Sequence, residues 1–180
     1  MLSACCKFYV EQICGTFSYY RCLKCGRPCY KLINTDNEIK DNEMPAFSQE
    51  SFSKLSQCHI DLQTLFYEVI KYRDCKILEG HRGQLEQNAA FAEGKSKLRW
   101  PDGKHNASPS LAVDVAPYPI PAWSKINNFI YFGGFVMGIA AKLKAEGKIT
   151  HDIRYGGDFN GNEDVTDQSF VDAVHFEIHV

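Results

Sequence analysis

Residues 171–180 read VDAVHFEIHV. From Val174 onward, side-chain character alternates with a period of two, the repeat of a β-strand with one buried face. His175, Glu177 and His179 fall on one side and aliphatic or aromatic residues on the other. A second stretch, LAVDVA at 111–116, repeats the pattern: Ala112, Asp114 and Ala116 share one face, and Leu111, Val113 and Val115 the other. Each strand therefore carries ionisable groups on the face opposite its apolar one. A lone carboxylate between two alanines is expensive to bury unless it is paired or holds a metal.

Working outward, Leu62, Leu65, Phe66, Val69 and Ile70 recur at helical spacing and predict an amphipathic helix. Residues 76–81 predict a strand, and Gln84–Glu93 a helix stopped by Gly94. A polar loop spans Lys95–Ser110. A long helix is expected over about Ser124–Glu146, with Ile126, Ile130, Val136, Ile139, Ala140 and Leu143 inward and Gly147 as its stop. Ile149–Tyr155 reads as a further strand, turned by Gly156-Gly157. Strands and helices are interspersed without a βαβ rhythm, so the class is α+β: a small antiparallel sheet flanked by helices, with a metal site on the sheet.

Composition narrows the function classes. The 180 residues are 44% hydrophobic and 23% charged, an ordinary globular balance, and the net charge of −2 offers no basic field for nucleic acid. No uninterrupted apolar run approaches the ~20 residues of a membrane span. Leu2-Ser3-Ala4-Cys5 imitates a lipoprotein cleavage site, but no apolar stretch of ~7–15 residues precedes it, and it reads as coincidence. Six of the eight cysteines precede Met44. That shift in composition separates a Cys-rich extension, residues 1–45, from a domain at 46–180. Cys22, Cys25 and Cys29 have the look of a zinc knuckle that needs a fourth ligand. Alternatively, Met44-Pro45 is itself a start and the extension is not native.

The chemistry is expected where the strand faces turn polar. His105, at the end of the polar loop, can fold back toward Asp114, and His175 lies on the terminal strand. Two imidazoles and a carboxylate make a three-ligand set with an open fourth position, as in catalytic zinc sites. Asp172, on the turn into that strand, is placed to act as general base. Glu177 shares the face of His175 and can orient its imidazole; His179 is peripheral or faces substrate. His59, His81 and His151 read as surface or core polar groups, and Tyr118, Trp123, Tyr155 and Phe159 as packing or as walls of the site.

The segments HRGQLEQNAAFAEGKSK, GKHNASPSLAVDVAPYP, IRYGGDF and FVDAVHFEI resemble, in order and character, the M15 peptidases. That family contains D-alanyl-D-alanine carboxypeptidases and phage endolysins that cleave the L-alanyl-D-glutamate bond of peptidoglycan. The likeness spans about Ser51–Val180 and is greatest to phage or prophage members. It implies His105, Asp114 and His175 as zinc ligands, Asp172 as catalytic acid/base, Arg82 as the group polarising the scissile carbonyl, and Gln87 near the substrate. Two departures stand out: Gly103 replaces an expected serine, and the loop between His105 and Asp114 is two residues longer, with Pro109-Ser110 in place of a glycine. The resemblance implies a zinc peptidase acting on peptidoglycan stem peptides, monomeric and without nucleic-acid partners. With no leader peptide recognised, a cytoplasmic pool in a bacterial host is expected, reaching the wall after membrane permeabilisation. The competing reading is a non-catalytic module of the same fold that binds zinc and cell-wall peptide without turnover.

Overall fold

The computed structural model describes residues 46–179 in full, together with the backbone of five short strands nearer the N-terminus. The chain divides into two compact units, Met1–Met44 and Pro45–Val180. In the first, β1 (Leu2–Ser3) pairs with β5 (Leu32–Ile33), and β2 (Val10–Ile13), β3 (Tyr19–Cys22) and β4 (Pro28–Cys29) form a three-stranded antiparallel sheet. The expected thiolate set of Cys22, Cys25 and Cys29 lies outside the described side chains.

The second unit begins with α1 (Gln49–Leu55) and α2 (Ile60–Val69), followed by β6 (Cys75–Glu79), α3 (Gln84–Ala92) and a 3-10 turn at Lys104–Asn106. Then come β7 (Ala112–Pro117), α4 (Ile126–Ala145), β8 (Asp152–Tyr155) and β9 (His175–His179). The four strands form one antiparallel sheet in the order β6-β7-β9-β8, so the class is α+β as expected. The terminal segment is thereby an interior strand, hydrogen-bonded on both sides. That is why an alternating pattern persists to the last residues of the chain.

The apolar faces of β7 and β9 meet α2 and α4. Phe176 is fully buried, its ring 5.4 Å from Phe66, 6.5 Å from Phe132 and 5.1 Å from Tyr155 between centroids. Truncating such a side chain to alanine costs about 3–5 kcal/mol. Helix α4 is long and apolar enough to cross a membrane by length and composition, yet Phe129, Phe132, Val136, Ala140 and Leu143 are buried in this core. The buried stripe differs from the expected one: Ile126 is 43% exposed. Two aromatic residues set the helix rotation instead. Trp123 stacks on Phe129 at 5.0 Å, and Gly133 gives the Tyr155 ring a place against the helix where any Cβ would overlap it.

The expected stops hold, Gly94 and Gly147 lying at φ of 73° and 68°. Helix α1 was not legible in the sequence, being only seven residues long; its local signal is Ser48, whose hydroxyl accepts the Ser51 N–H.

Candidate active site

The polar faces of β7 and β9 come together because Asp114 pairs directly with His175 across the two strands. Opposed residues of an antiparallel pair share a face, so the carboxylate and the imidazole meet with Asp114 Oδ1 3.0 Å from His175 Nδ1. His105 arrives from the 3-10 turn, its Nε2 3.3 Å from Asp114 Oδ1 and 3.3 Å from His175 Nδ1. Three potential donor atoms thus converge on one point.

Both imidazoles are anchored by their other nitrogen. His105 Nδ1 donates to the Gly80 carbonyl at 2.7 Å, and His175 Nε2 donates to Glu177 Oε2 at 2.9 Å. Those bonds hold each ring by its outer nitrogen, so that His105 Nε2 and His175 Nδ1 face inward and, once deprotonated, turn their lone pairs to a bound metal. Burial alone would lower the basicity of His175, but its hydrogen bonds to Asp114 and Glu177 outweigh this and push its pKa up to about 10. Burial would raise Asp114; its electrostatic interactions and hydrogen bonds with the two imidazoles, His105 first, hold it well below the ordinary carboxylate range. Without a metal, then, the cluster keeps a proton where a cation could sit. Donor types, separations and ring orientations all fit a divalent ion such as zinc.

A second His–Asp–His group, His59, Asp61 and His151, is wired differently. His59 Nδ1 accepts the Asp61 N–H at 3.2 Å as the N-cap of α2, and His151 Nδ1 donates to Asp61 Oδ2 at 2.9 Å. Thr150 and His151 backbone N–H groups also donate to Asp61 Oδ2, at 2.8 and 2.9 Å. These hydrogen bonds tie the residues just before β8 to the start of α2 as a structural latch.

The two departures from the expected motif have local causes. A Cβ at Gly103 would lie 2.8 Å from Asn106 Oδ1, so the Asn106 side chain occupies the room a serine would take. Asn106 accepts the Gly103 N–H at 2.9 Å and donates to the Arg82 carbonyl and to Gln87 Oε1, locking the turn that presents His105. In the longer loop, Ser110 is fully buried. Its N–H donates to Gln57 O at 2.9 Å, its carbonyl accepts from His59 N at 2.8 Å, and its hydroxyl donates to Ala112 O at 2.7 Å. The extra residues are braced against the start of α2, and His105 still reaches Asp114.

Arg82 points at this cluster, its Nη2 3.9 Å from Asp114 Oδ2. Glu79 holds it through both Nε, at 2.9 Å, and Nη2, and Nη1 donates to Gln87 Oε1 at 3.2 Å. Gln87 is only 1% exposed, and its amide also donates to Ser96 Oγ and Leu98 O. In this structure Gln87 reaches the site through Arg82 and Asn106. Asp172 sits on the turn before β9, its N–H donating to Gly156 O at 2.8 Å and its carbonyl accepting the His175 N–H at 3.0 Å. A Cβ at Gly156 would collide with that Asp172 carbonyl. Burial first, then the Asp114 charge, push the Asp172 carboxyl up.

Residues 44–179 match the family of phage L-alanyl-D-glutamate peptidases. The chain belongs to that family. Among solved structures it is similar to the L-Ala D-Glu endopeptidase ChiX of Serratia marcescens, with a TM-score of 0.56 and 19% identity over 79% of this chain and 96% of that one. No curated protein matches. The comparison with the Serratia structure shows a shared fold. The family makes the chain a peptidoglycan peptidase and thus a hydrolase.

Among the described residues, the two cysteines are poor nucleophiles. Cys58 and Cys75 are buried thiols, each pushed up to about 12 chiefly by burial, and so are uncharged near neutral pH. A surface hollow of about 430 Å³ lined by Ser56, Gln57, His81, Ser108 and Pro109 includes none of the clustered residues. Two contributors are not evident in the sequence. Asn106 was hidden because it acts through its neighbours Arg82 and Gln87. Arg154 was detectable only once β8 and β9 were paired, since it lies opposite Glu177.

Proposed function

We propose that the chain is a zinc-dependent endopeptidase that hydrolyses the L-alanyl-D-glutamate bond of peptidoglycan stem peptides, serving as a phage or prophage endolysin. The observation that carries this reading is the convergence of His105 Nε2, Asp114 Oδ1 and His175 Nδ1 with the opposite nitrogen of each imidazole tied to an acceptor, in a chain of this family.

His105, Asp114 and His175 would hold the ion. Zinc, when bound, supplies Lewis acidity toward the amide carbonyl and makes water acidic enough to attack near neutral pH. Asp172 takes the proton of the attacking water and returns it to the leaving amine; its raised carboxyl pKa suits a group that must carry that proton between the two events. Arg82 uses three of its five N–H donors on Glu79 and Gln87, and the remaining two are available for the oxyanion of the tetrahedral intermediate. Glu79 and Gln87 hold the guanidinium in place.

Chelation should abolish cleavage of a synthetic L-Ala-γ-D-Glu peptide, and stoichiometric zinc should restore it. His105→Ala and His175→Ala should each lose one zinc equivalent by elemental analysis. Undiminished cleavage by metal-free protein would overturn the metal assignment.

A further inference from the structure

Glu177 is 4% exposed, and a buried carboxylate is tolerable only when its oxygens are engaged. One oxygen, Oε2, accepts from His175 Nε2; the other, Oε1, accepts from Arg154 Nε at 3.0 Å and from Arg154 Nη2. The three residues lie on two adjacent strands, with Arg154 and Glu177 directly opposed across β8 and β9. The Arg154 guanidinium also lies over the Phe159 ring, 5.6 Å from its centroid, and Phe159 in turn sits 6.0 Å from the His175 ring. Arg154 thus approaches His175 by two routes: through the Glu177 carboxylate to Nε2, and through Phe159 against the imidazole ring.

From this arrangement we infer that Arg154 is a positioning residue of the metal site, which fixes the Glu177 carboxylate so that His175 presents its Nδ1 lone pair to the ion. The inference rests on the zinc reading of His105, Asp114 and His175 given above. A carboxylate free to rotate about its terminal torsion can offer either oxygen to His175 or turn away from it. A guanidinium bound through two nitrogens to Oε1 removes that freedom. Arg154 is not one of the three converging ligand residues, so its loss should weaken zinc binding without removing a ligand.

The test is zinc affinity by competition with a chromophoric chelator, taken as the equivalent lost in His175→Ala so that other metal-binding groups are subtracted. Glu177→Gln should weaken this equivalent by about 10–100-fold, the usual effect of removing a group that orients a ligand histidine. Arg154→Leu should weaken it by about tenfold, with partial recovery in Arg154→Lys. In the Glu177→Gln background, Arg154→Leu should have little further effect, because the two act in one chain. Thermal unfolding of the metal-free proteins monitors folding separately. If Arg154→Leu lowers only the unfolding temperature and leaves zinc affinity unchanged, or if its effect adds fully to that of Glu177→Gln, the inference is wrong. If His175→Ala itself leaves zinc binding intact, the metal reading fails and this inference with it.

Discussion

Asp114 Oδ1 and His175 Nδ1 lie 3.0 Å apart across directly paired positions of β7 and β9. A one-residue slip in that register would send one of them to the apolar face, so sheet pairing and site assembly are the same event. Asp114→Asn keeps the size of the side chain but replaces an anionic ligand with a neutral amide. It should lose zinc and activity together, measured by elemental analysis beside peptide cleavage.

Zinc binding should release a proton. Metal-free His175 has a pKa of about 10, above its ordinary value, because its hydrogen bonds to Asp114 and Glu177 overcome burial. Its proton is therefore retained throughout the neutral range and must leave when the ion binds. Affinity should rise with pH, about tenfold per unit for one displaced proton. Calorimetry in buffers of different ionisation enthalpy reads this directly, and no proton release at pH 7 would contradict it.

The Asp61 latch should govern acid stability. Burial alone would raise this carboxyl; the donors from His151 and Thr150 outweigh it and lower its pKa. A depressed folded-state pKa contributes stability that is present above the unfolded value and lost as pH falls through the folded one. Asp61→Asn should therefore cost about 1–3 kcal/mol at pH 7 and flatten the acid limb of a stability–pH curve measured by urea unfolding.

Gly133→Ala places a methyl group into the Tyr155 ring. Overpacking of this kind costs about 1–3 kcal/mol. Because Tyr155 donates to the Ala173 carbonyl at 3.1 Å, beside the Asp172 turn, activity should fall along with the unfolding temperature.

The strands, Asp114 and His175 were legible because period-two alternation declares which side chains share a face, and Asp114, His175 and Glu177 all interrupt an otherwise apolar or small-residue pattern; His105, in a polar loop, was legible only through the motif it shares with the M15 peptidases. The rotation of α4 was not, since Ile126 and Phe129 are equally apolar and only Tyr155, Gly133 and Trp123 decide between them. The roles of Arg154 and Asn106 were hidden for a different reason. Both are ordinary polar residues in the sequence, and their roles arise from the pairing of β8 with β9 and from the 3-10 turn at Lys104–Asn106.

The central claim is a division of labour in which His105, Asp114 and His175 hold the ion and Asp172 moves the proton. It is tested most directly by digesting purified cell wall with the zinc-loaded protein and with zinc-loaded Asp172→Asn, and reading the products by mass spectrometry. Wild-type protein should release peptides beginning at D-Glu and leave L-Ala on the glycan strand. Asp172→Asn should keep its zinc while its turnover falls by a factor of about 10²–10⁴. Cleavage at any other bond, or equal cleavage by the zinc-loaded variant, would contradict the account.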